Sequence, residues 1–275
     1  MVMELAVFDL DGTLLNGKQQ LSDYTRETLL LMQHNNIPYT LATGRTLHAA
    51  QECIEGAHFP LLHVYNNGVV IWCPETTRYT HHNSLNHKEI EVVLNAFAKQ
   101  PISPFIFAVE PDGTHSVYMG ELETENCKFY GDKFDARKGL AVKPLESLHE
   151  GVKITNVNAL GDEQVIAQLC AEIRTAPELV VYNGGDMYTA GYHWMDLHHH
   201  SSSKGEAVQT LKASLGFDKV VCFGDSDNDF SMFQMADEAY ATANALDELK
   251  AMATGVIGHH EEDGVARFLR QRYSL

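Results

Sequence analysis

Basic residues are scarce in this chain of 275 residues: 20 Lys and Arg stand against 37 Asp and Glu, a formal net charge of −17. So acidic a surface repels polyanions, and binding duplex nucleic acid or an anionic membrane would need a local basic stripe, which the sequence lacks. Long apolar runs are missing too. Stretches such as Val69-Val70-Ile71-Trp72-Cys73 fall far short of the roughly 20 residues of a membrane helix. No basic segment followed by an apolar one opens the chain, so no signal peptide is expected. Cysteine provides no framework either: Cys53, Cys73, Cys127, Cys170 and Cys222 are odd in number and scattered, with no C-x-x-C pair and no zinc-finger histidine spacing. That usage fits reduced thiols in a cytoplasmic protein. Fifteen histidines make the charge sensitive to mild acid, because an unperturbed imidazole titrates at a pKa of about 6.5. With 44% hydrophobic and 21% charged residues, the chain is globular, one large domain or two ordinary ones of about 100–200 residues.

Short apolar runs alternate with helical patterns at both ends, which predicts βα units and an α/β, Rossmann-like parallel sheet core. Leu5 to Phe8, Tyr39 to Ala42, Leu62 to Tyr65 and Val220 to Phe223 read as strands. Helices are expected from a Ser22 cap to about Asn35, over Leu47 to Ile54, and through Val208, Leu211 and Leu215 to a stop at Gly216. The texture changes in the middle. Helical spacing over His87 to Lys99 and from Val165 to Ile173, hairpins around Pro111-Asp112-Gly113 and Gly184-Gly185 (the latter pairing Leu179–Tyr182 with Met187–Thr189), and a strand over Val152 to Val157 predict an inserted α+β module. The expected division is 1–81 core, 82–190 inserted cap, and 191–275 core.

Three of the core strands end in polar segments: Asp9-Leu10-Asp11-Gly12-Thr13, Thr43-Gly44-Arg45, and Gly224-Asp225-Ser226-Asp227-Asn228-Asp229. Right-handed crossovers bring the carboxyl ends of parallel strands to one edge, so these carboxylates converge. Like charges so close need a cation, and a cluster without His or Cys selects a hard, oxygen-seeking ion. Mg2+ is expected, and with it a phosphorylated substrate, since this ion binds through few carboxylates plus phosphate oxygens.

Phe8-Asp9-Leu10-Asp11-Gly12-Thr13-Leu14-Leu15 resembles the first motif of the haloacid dehalogenase superfamily in its Mg2+-dependent phosphatase form. Thr43 in Leu41-Ala42-Thr43-Gly44-Arg45 matches the second motif, Lys204 in Ser203-Lys204-Gly205-Glu206-Ala207 the third, and Gly224 to Asp229 the fourth. Asn67-Gly68, Asn244-Ala245 and Glu262-Asp263-Gly264-Val265-Ala266 are similar to the Cof-type subfamily, in which a large α/β cap is inserted between motifs two and three. The resemblance implies Asp9 as nucleophile and metal ligand, Asp11 as general acid and base with its carbonyl on the metal, and Asp225 as metal ligand. Thr43, Gly44, Lys204 and Asn228 would bind phosphate, and Asp229 would hold a metal-bound water or Lys204.

The expected function is Mg2+-dependent hydrolysis of a small phosphorylated metabolite, such as a sugar phosphate, nucleotide or cofactor precursor, through an aspartyl-phosphate, with the cap closing over the site. A phosphomutase and a non-catalytic metabolite-binding module are the alternatives; a dehalogenase is disfavoured because it needs neither Mg2+ nor the second Asp. His198-His199-His200 reads as a solvated loop, His81-His82 and His259-His260 as surface residues, and Tyr130, Tyr188 and Trp194 as packing residues. Arg45 reads equally as a phosphate contact or an ion-pair partner and is left outside the site. Oligomeric state is open.

Overall fold

The chain opens with β1 (Glu4–Phe8), α1 (Asp23–His34), β2 (Tyr39–Leu41) and α2 (Leu47–Cys53), then a small antiparallel sheet of β3 (His63–Tyr65), β4 (Val70–Cys73) and β5 (Arg78–His82). It continues through α3 (His87–Phe97), β6 (Phe105–Val109), β7 (His115–Met119), α4 (Glu125–Asp135), β8 (Leu140–Pro144), β9 (Lys153–Asp162), α5 (Glu163–Ile173), β10 (Leu179–Gly185) and β11 (Tyr192–His199). The last part is α6 (Lys204–Leu215), β12 (Lys219–Gly224), α7 (Phe230–Met235), β13 (Glu238–Ala241), α8 (Asp247–Met252), β14 (Gly255–Val256) and α9 (Gly264–Tyr273). This computed structural model describes residues 3–122, 124–137, 139–186 and 189–275, with the side chains of His81, His82 and Asn126 outside that description. Two units emerge: Met1–His82 with Ser202–Leu275, and Asn83–Ser201.

The first unit is built on a five-stranded parallel sheet in the order β14-β13-β12-β1-β2. Strand β1, between β12 and β2, shows why the sheet is covered on both faces. Ala6 and Phe8 pack with Leu29, Met32, Val265 and Leu269 of α1 and α9, while Leu5 and Val7 pack with Val208, Leu211, Met232 and Leu249 of α6, α7 and α8. Successive side chains of a strand point to opposite faces, so an unbroken apolar run serves both layers. Ser22 caps α1 by accepting from the Thr25 amide at 3.0 Å, and Gly216, at φ +74°, ends α6 in the left-handed conformation. The chain leaves β1 toward β2 on one side, whereas β12 continues toward β13 on the other, so the order reverses between β1 and β12. That is the switch point at which open α/β sheets bind ligands.

The second unit is a six-stranded mixed sheet, β10-β11-β9-β6-β7-β8, antiparallel except for the β7–β8 pair. Helices α3 and α5 cover one face through Val93, Phe97, Ile166, Leu169 and Ile173. On the other face Phe134 of α4 lies edge-on to Phe105 and Phe107, with ring centroids 5.3 and 5.4 Å apart. Both α4 and β8 go beyond the sequence expectation; Glu125–Asp135 is polar overall and carries Gly131, with only Cys127, Tyr130 and Phe134 on its apolar face. Strand β9 runs five residues past the expected Val157.

Three expectations are corrected. The strand paired with β10 is Tyr192–His199; of the expected Met187–Thr189, Met187 and Tyr188 lie outside the described residues. Because β11 bonds β9 on one edge and β10 on the other, the return to the first unit falls at Ser201/Ser202 rather than at residue 190. The same pairing removes His198 from the expected solvated loop: it is 0% exposed on β11, its ring 5.8 Å from Tyr182. Tyr130 packs on Phe134 and donates to Asp186 at 2.7 Å, whereas Trp194 is 41% exposed. Tyr188 and the side chains of His81 and His82 lie outside the described residues. No helix among the described residues is long and apolar enough to cross a membrane.

Helix α6 approaches α7 through Gly205, where a Cβ would lie 2.3 Å from the Ser231 carbonyl oxygen. Ala would gain about 1 kcal/mol in helix propensity, but overpacking against backbone costs about 1–3 kcal/mol. Gly205→Ala is therefore expected to lower the urea midpoint with an unchanged m-value, and a midpoint at or above that of the parent would show that the helices separate freely.

Candidate active site

Asp9, the first residue beyond β1, is 3% exposed, and its amide donates to the Phe223 carbonyl of β12 at 3.0 Å. Lys204 opens α6 behind the Ser203 N-cap and is fully buried. Its ammonium donates to Asp9 Oδ1 at 2.6 Å and to Asp229 Oδ1 at 2.7 Å. The other Asp229 oxygen accepts from the amides of Asp225 and Ser226 at 2.9 and 3.1 Å, which curls the chain after β12 back on itself. Asp225 accepts from the Thr13 hydroxyl at 3.0 Å. One carboxylate oxygen from each of Asp9, Asp225 and Asp229 lies within 4.8 Å of the others.

Burial drives the electrostatics of this group. It pushes the Asp9 carboxyl well above the ordinary range, against the pull of Lys204 and with the help of Asp229, Asp225 and Asp11. Burial and then the charge of Asp229 push Asp225 up to about 6. For Lys204 burial acts downward, yet the charges and hydrogen bonds of Asp229 and Asp9 outweigh it and hold the ammonium above its ordinary value.

The second strand supplies a separate set of groups. Thr43 is fully buried, its amide donates to the Val64 carbonyl, and its own carbonyl accepts from Asn67, each at 3.0 Å. The Thr43 hydroxyl accepts from the Arg45 amide at 3.1 Å. Between β3 and β4 the residues Asn66, Asn67 and Gly68 have φ of +51°, +52° and +96°, a run that Asn and Gly tolerate best. That turn aims Asn67 Oδ1 at the Asn228 amide nitrogen, 2.9 Å away. A Cβ on Gly44 would lie 3.0 Å from Asn67 Oδ1 and 3.3 Å from Asn228 Nδ2, so Gly44 keeps this space open. Asp11 differs from the other carboxylates: it turns to Arg45, which grips it bidentately at 2.6 and 2.7 Å, with the Asp11 side chain half exposed.

The haloacid dehalogenase-like hydrolase family profile matches residues 6–269 of the chain. The chain belongs to this family. Among curated relatives, phosphatase YwpJ of Bacillus subtilis (strain 168) is 26% identical, over 98% of this chain and 99% of its own. The 5-amino-6-(5-phospho-D-ribitylamino)uracil phosphatase YwtE of the same organism is also 26% identical, over 99% of each. A crystal structure of a haloacid dehalogenase-like hydrolase from Bacteroides thetaiotaomicron shares the fold, with a TM-score of 0.76 at 23% identity over 98% of this chain and 99% of that one. The Cof-type character of the chain and its reaction class, phosphoric monoester hydrolysis, rest on these matches.

All eight residues singled out in this hydrolase's sequence lie just beyond the carboxyl ends of β1, β2 and β12 or at the start of α6. Asp9, Lys204, Asp225 and Asp229 are joined directly, Thr43 and Gly44 meet Asn228 through Asn67, and the Asp11 carboxylate stands apart from the cluster. Three neighbours escaped the sequence reading as members of the site. Arg45 holds Asp11, Thr13 holds Asp225, and Asn67 holds Asn228. Their motifs were visible, but each role is a contact across 34, 212 or 161 positions, which no local pattern encodes.

With metal chelated, folded Asp225 binds its proton more tightly than the unfolded chain does, between the ordinary 3.8 and about 6. That stabilising protonation is complete at low pH and lost as pH rises through 6, on the order of 3 kcal/mol. Asp225→Asn is expected to raise Tm at pH 7 in EDTA and to flatten the decline between pH 4 and 7. Thermal denaturation across that window checks it, and parallel curves for the two proteins would contradict it.

Proposed function

We propose that this chain is a Mg2+-dependent phosphatase acting on small phosphorylated metabolites through an aspartyl-phosphate on Asp9. The observation that carries the reading is the buried Asp9–Lys204–Asp229 ion triad beside Asp225. Three carboxylates against one ammonium leave an excess negative charge in an all-oxygen donor set, which fits a hard divalent cation. Asp9, Asp225 and the Asp11 carbonyl would hold it, since Asp229 is occupied with Lys204 and two amides. When bound, Mg2+ neutralises phosphoryl charge and orients the ester.

The chain's own groups account for the rest. Lys204 fixes one Asp9 oxygen, so the carboxylate is held for in-line attack: the Asp9 O–P bond forms as the ester P–O bond breaks. Asp11 gives its proton to the departing alkoxide and then takes one from the water that attacks phosphorus, which releases phosphate and restores Asp9. Its half-exposed position suits contact with a leaving group, for which the carboxyl must leave the Arg45 fork that holds both of its oxygens. Thr43, the Gly44 amide and Asn228 receive phosphoryl oxygens, with positioning supplying most of the catalysis.

Phosphate release from a panel of phosphomonoesters, including 5-amino-6-(5-phospho-D-ribitylamino)uracil because YwtE is named for it, tests the reading. Release is expected with Mg2+, to vanish in EDTA, and to vanish in Asp9→Asn; full turnover without metal would overturn the cofactor assignment. Asp11→Asn should lose about 10²–10⁴-fold in kcat on alkyl phosphates. On p-nitrophenyl phosphate, whose phenolate departs without a proton, the loss should be much smaller, and equal losses on both substrates would remove Asp11 from the acid role.

A further inference from the structure

The segment that carries both Asp9 and Asp11 is not a regular element. Residues 10–15 make one tight turn closed by the Leu15 amide on the Leu10 carbonyl at 2.8 Å, with Gly12 at φ +70°. Gly12 lies so close to Asp225 that a Cβ there would meet Asp225 Oδ2 at 2.2 Å. A turn of this kind leaves carbonyls without ladder partners, and they must be satisfied from elsewhere. The Gly12 carbonyl accepts from Thr242 Oγ1 at 3.2 Å and from Asn244 Nδ2 at 2.8 Å. Asn244 Oδ1 in turn accepts from the His260 amide at 3.2 Å, and His260 Nδ1 donates to the Leu15 carbonyl at 2.9 Å. His260, read from sequence as a surface residue, is thus bonded through its ring and its backbone to opposite ends of one network.

We infer that Thr242, Asn244 and His260 are positioning residues that set the orientation of Asp11 by clamping the Gly12 and Leu15 carbonyls, a role that rests on the phosphatase reading. Asp9 is tied on its other side, to Phe223 and Lys204. Loosening the clamp therefore displaces Asp11, adjacent to Gly12, while the nucleophile stays in place. A misplacement of about 1 Å can cost up to about 10²-fold in rate, and here the loss falls on the step that needs a proton.

The test compares His260→Ala and Asn244→Ala with the parent on glycerol 2-phosphate and on p-nitrophenyl phosphate, with amide hydrogen exchange of the peptide spanning residues 9–16 measured alongside. Expected are faster exchange in that peptide, a fall in kcat on the alkyl ester of about 10- to 100-fold, and a change of less than about threefold on the aryl ester and in KM. His260→Asn, which restores a donor near the Nδ1 position, should recover most of the rate. Unchanged exchange, or equal losses on both esters, overturns the clamp. If the parent releases phosphate from neither ester, the phosphatase reading fails by itself, and the exchange result alone decides whether these residues hold the turn.

Discussion

The arrangement depends on one buried cation. Lys204 bridges residues 195 positions upstream and 25 downstream of it in sequence, and so joins the end of β1 to the turn after β12 at the one place where the strand order reverses. Such a group is not a source of net stability, because desolvating three charges costs several kcal/mol for each ion before their attraction is counted. It is tolerated because apolar layers on both faces of the sheet, built around Leu5 to Phe8 and Val220 to Phe223, hold the backbone that presents it. What the triad provides is position: a carboxylate held at 2.6 Å from its partner with almost no exposure.

Around that centre, each strand-end segment is held by another as well as by its own turn. Thr13 reaches Asp225, Asn67 reaches Asn228, and Arg45 reaches Asp11. Loops need partners from elsewhere because they have no ladder of their own, and this set obtains them from one another. Raised carboxyl pKa values follow from the same geometry, since burial and mutual repulsion act on Asp9 and Asp225 together. Carboxyl groups perturbed in this way cluster at functional sites.

Much of this is legible in the sequence. Apolar runs ending in Asp, Thr or Gly-Asp located the parallel strands and their chemical ends, because the period-two and 3.6-residue patterns and the turn residues are local properties of the chain. The inserted unit was legible as a change of texture. Its helix α4 was not, because Glu125–Asp135 is polar overall and its narrow apolar stripe, Cys127, Tyr130 and Phe134, shows its purpose only where it meets Phe105 and Phe107 of the sheet.

The sequence by itself determined which strand ends the polar segments occupy, since that follows from spacing of a few positions. Only the tertiary structure decided how they pair: that Asp229 serves Lys204, that Asp11 rests in the Arg45 fork, and that His198 is interior while His260 grips the turn at Leu15. Those outcomes depend on contacts between segments separated by 25 to 245 positions. Distance and burial, which set their energies, are properties of the packed chain and have no local signature.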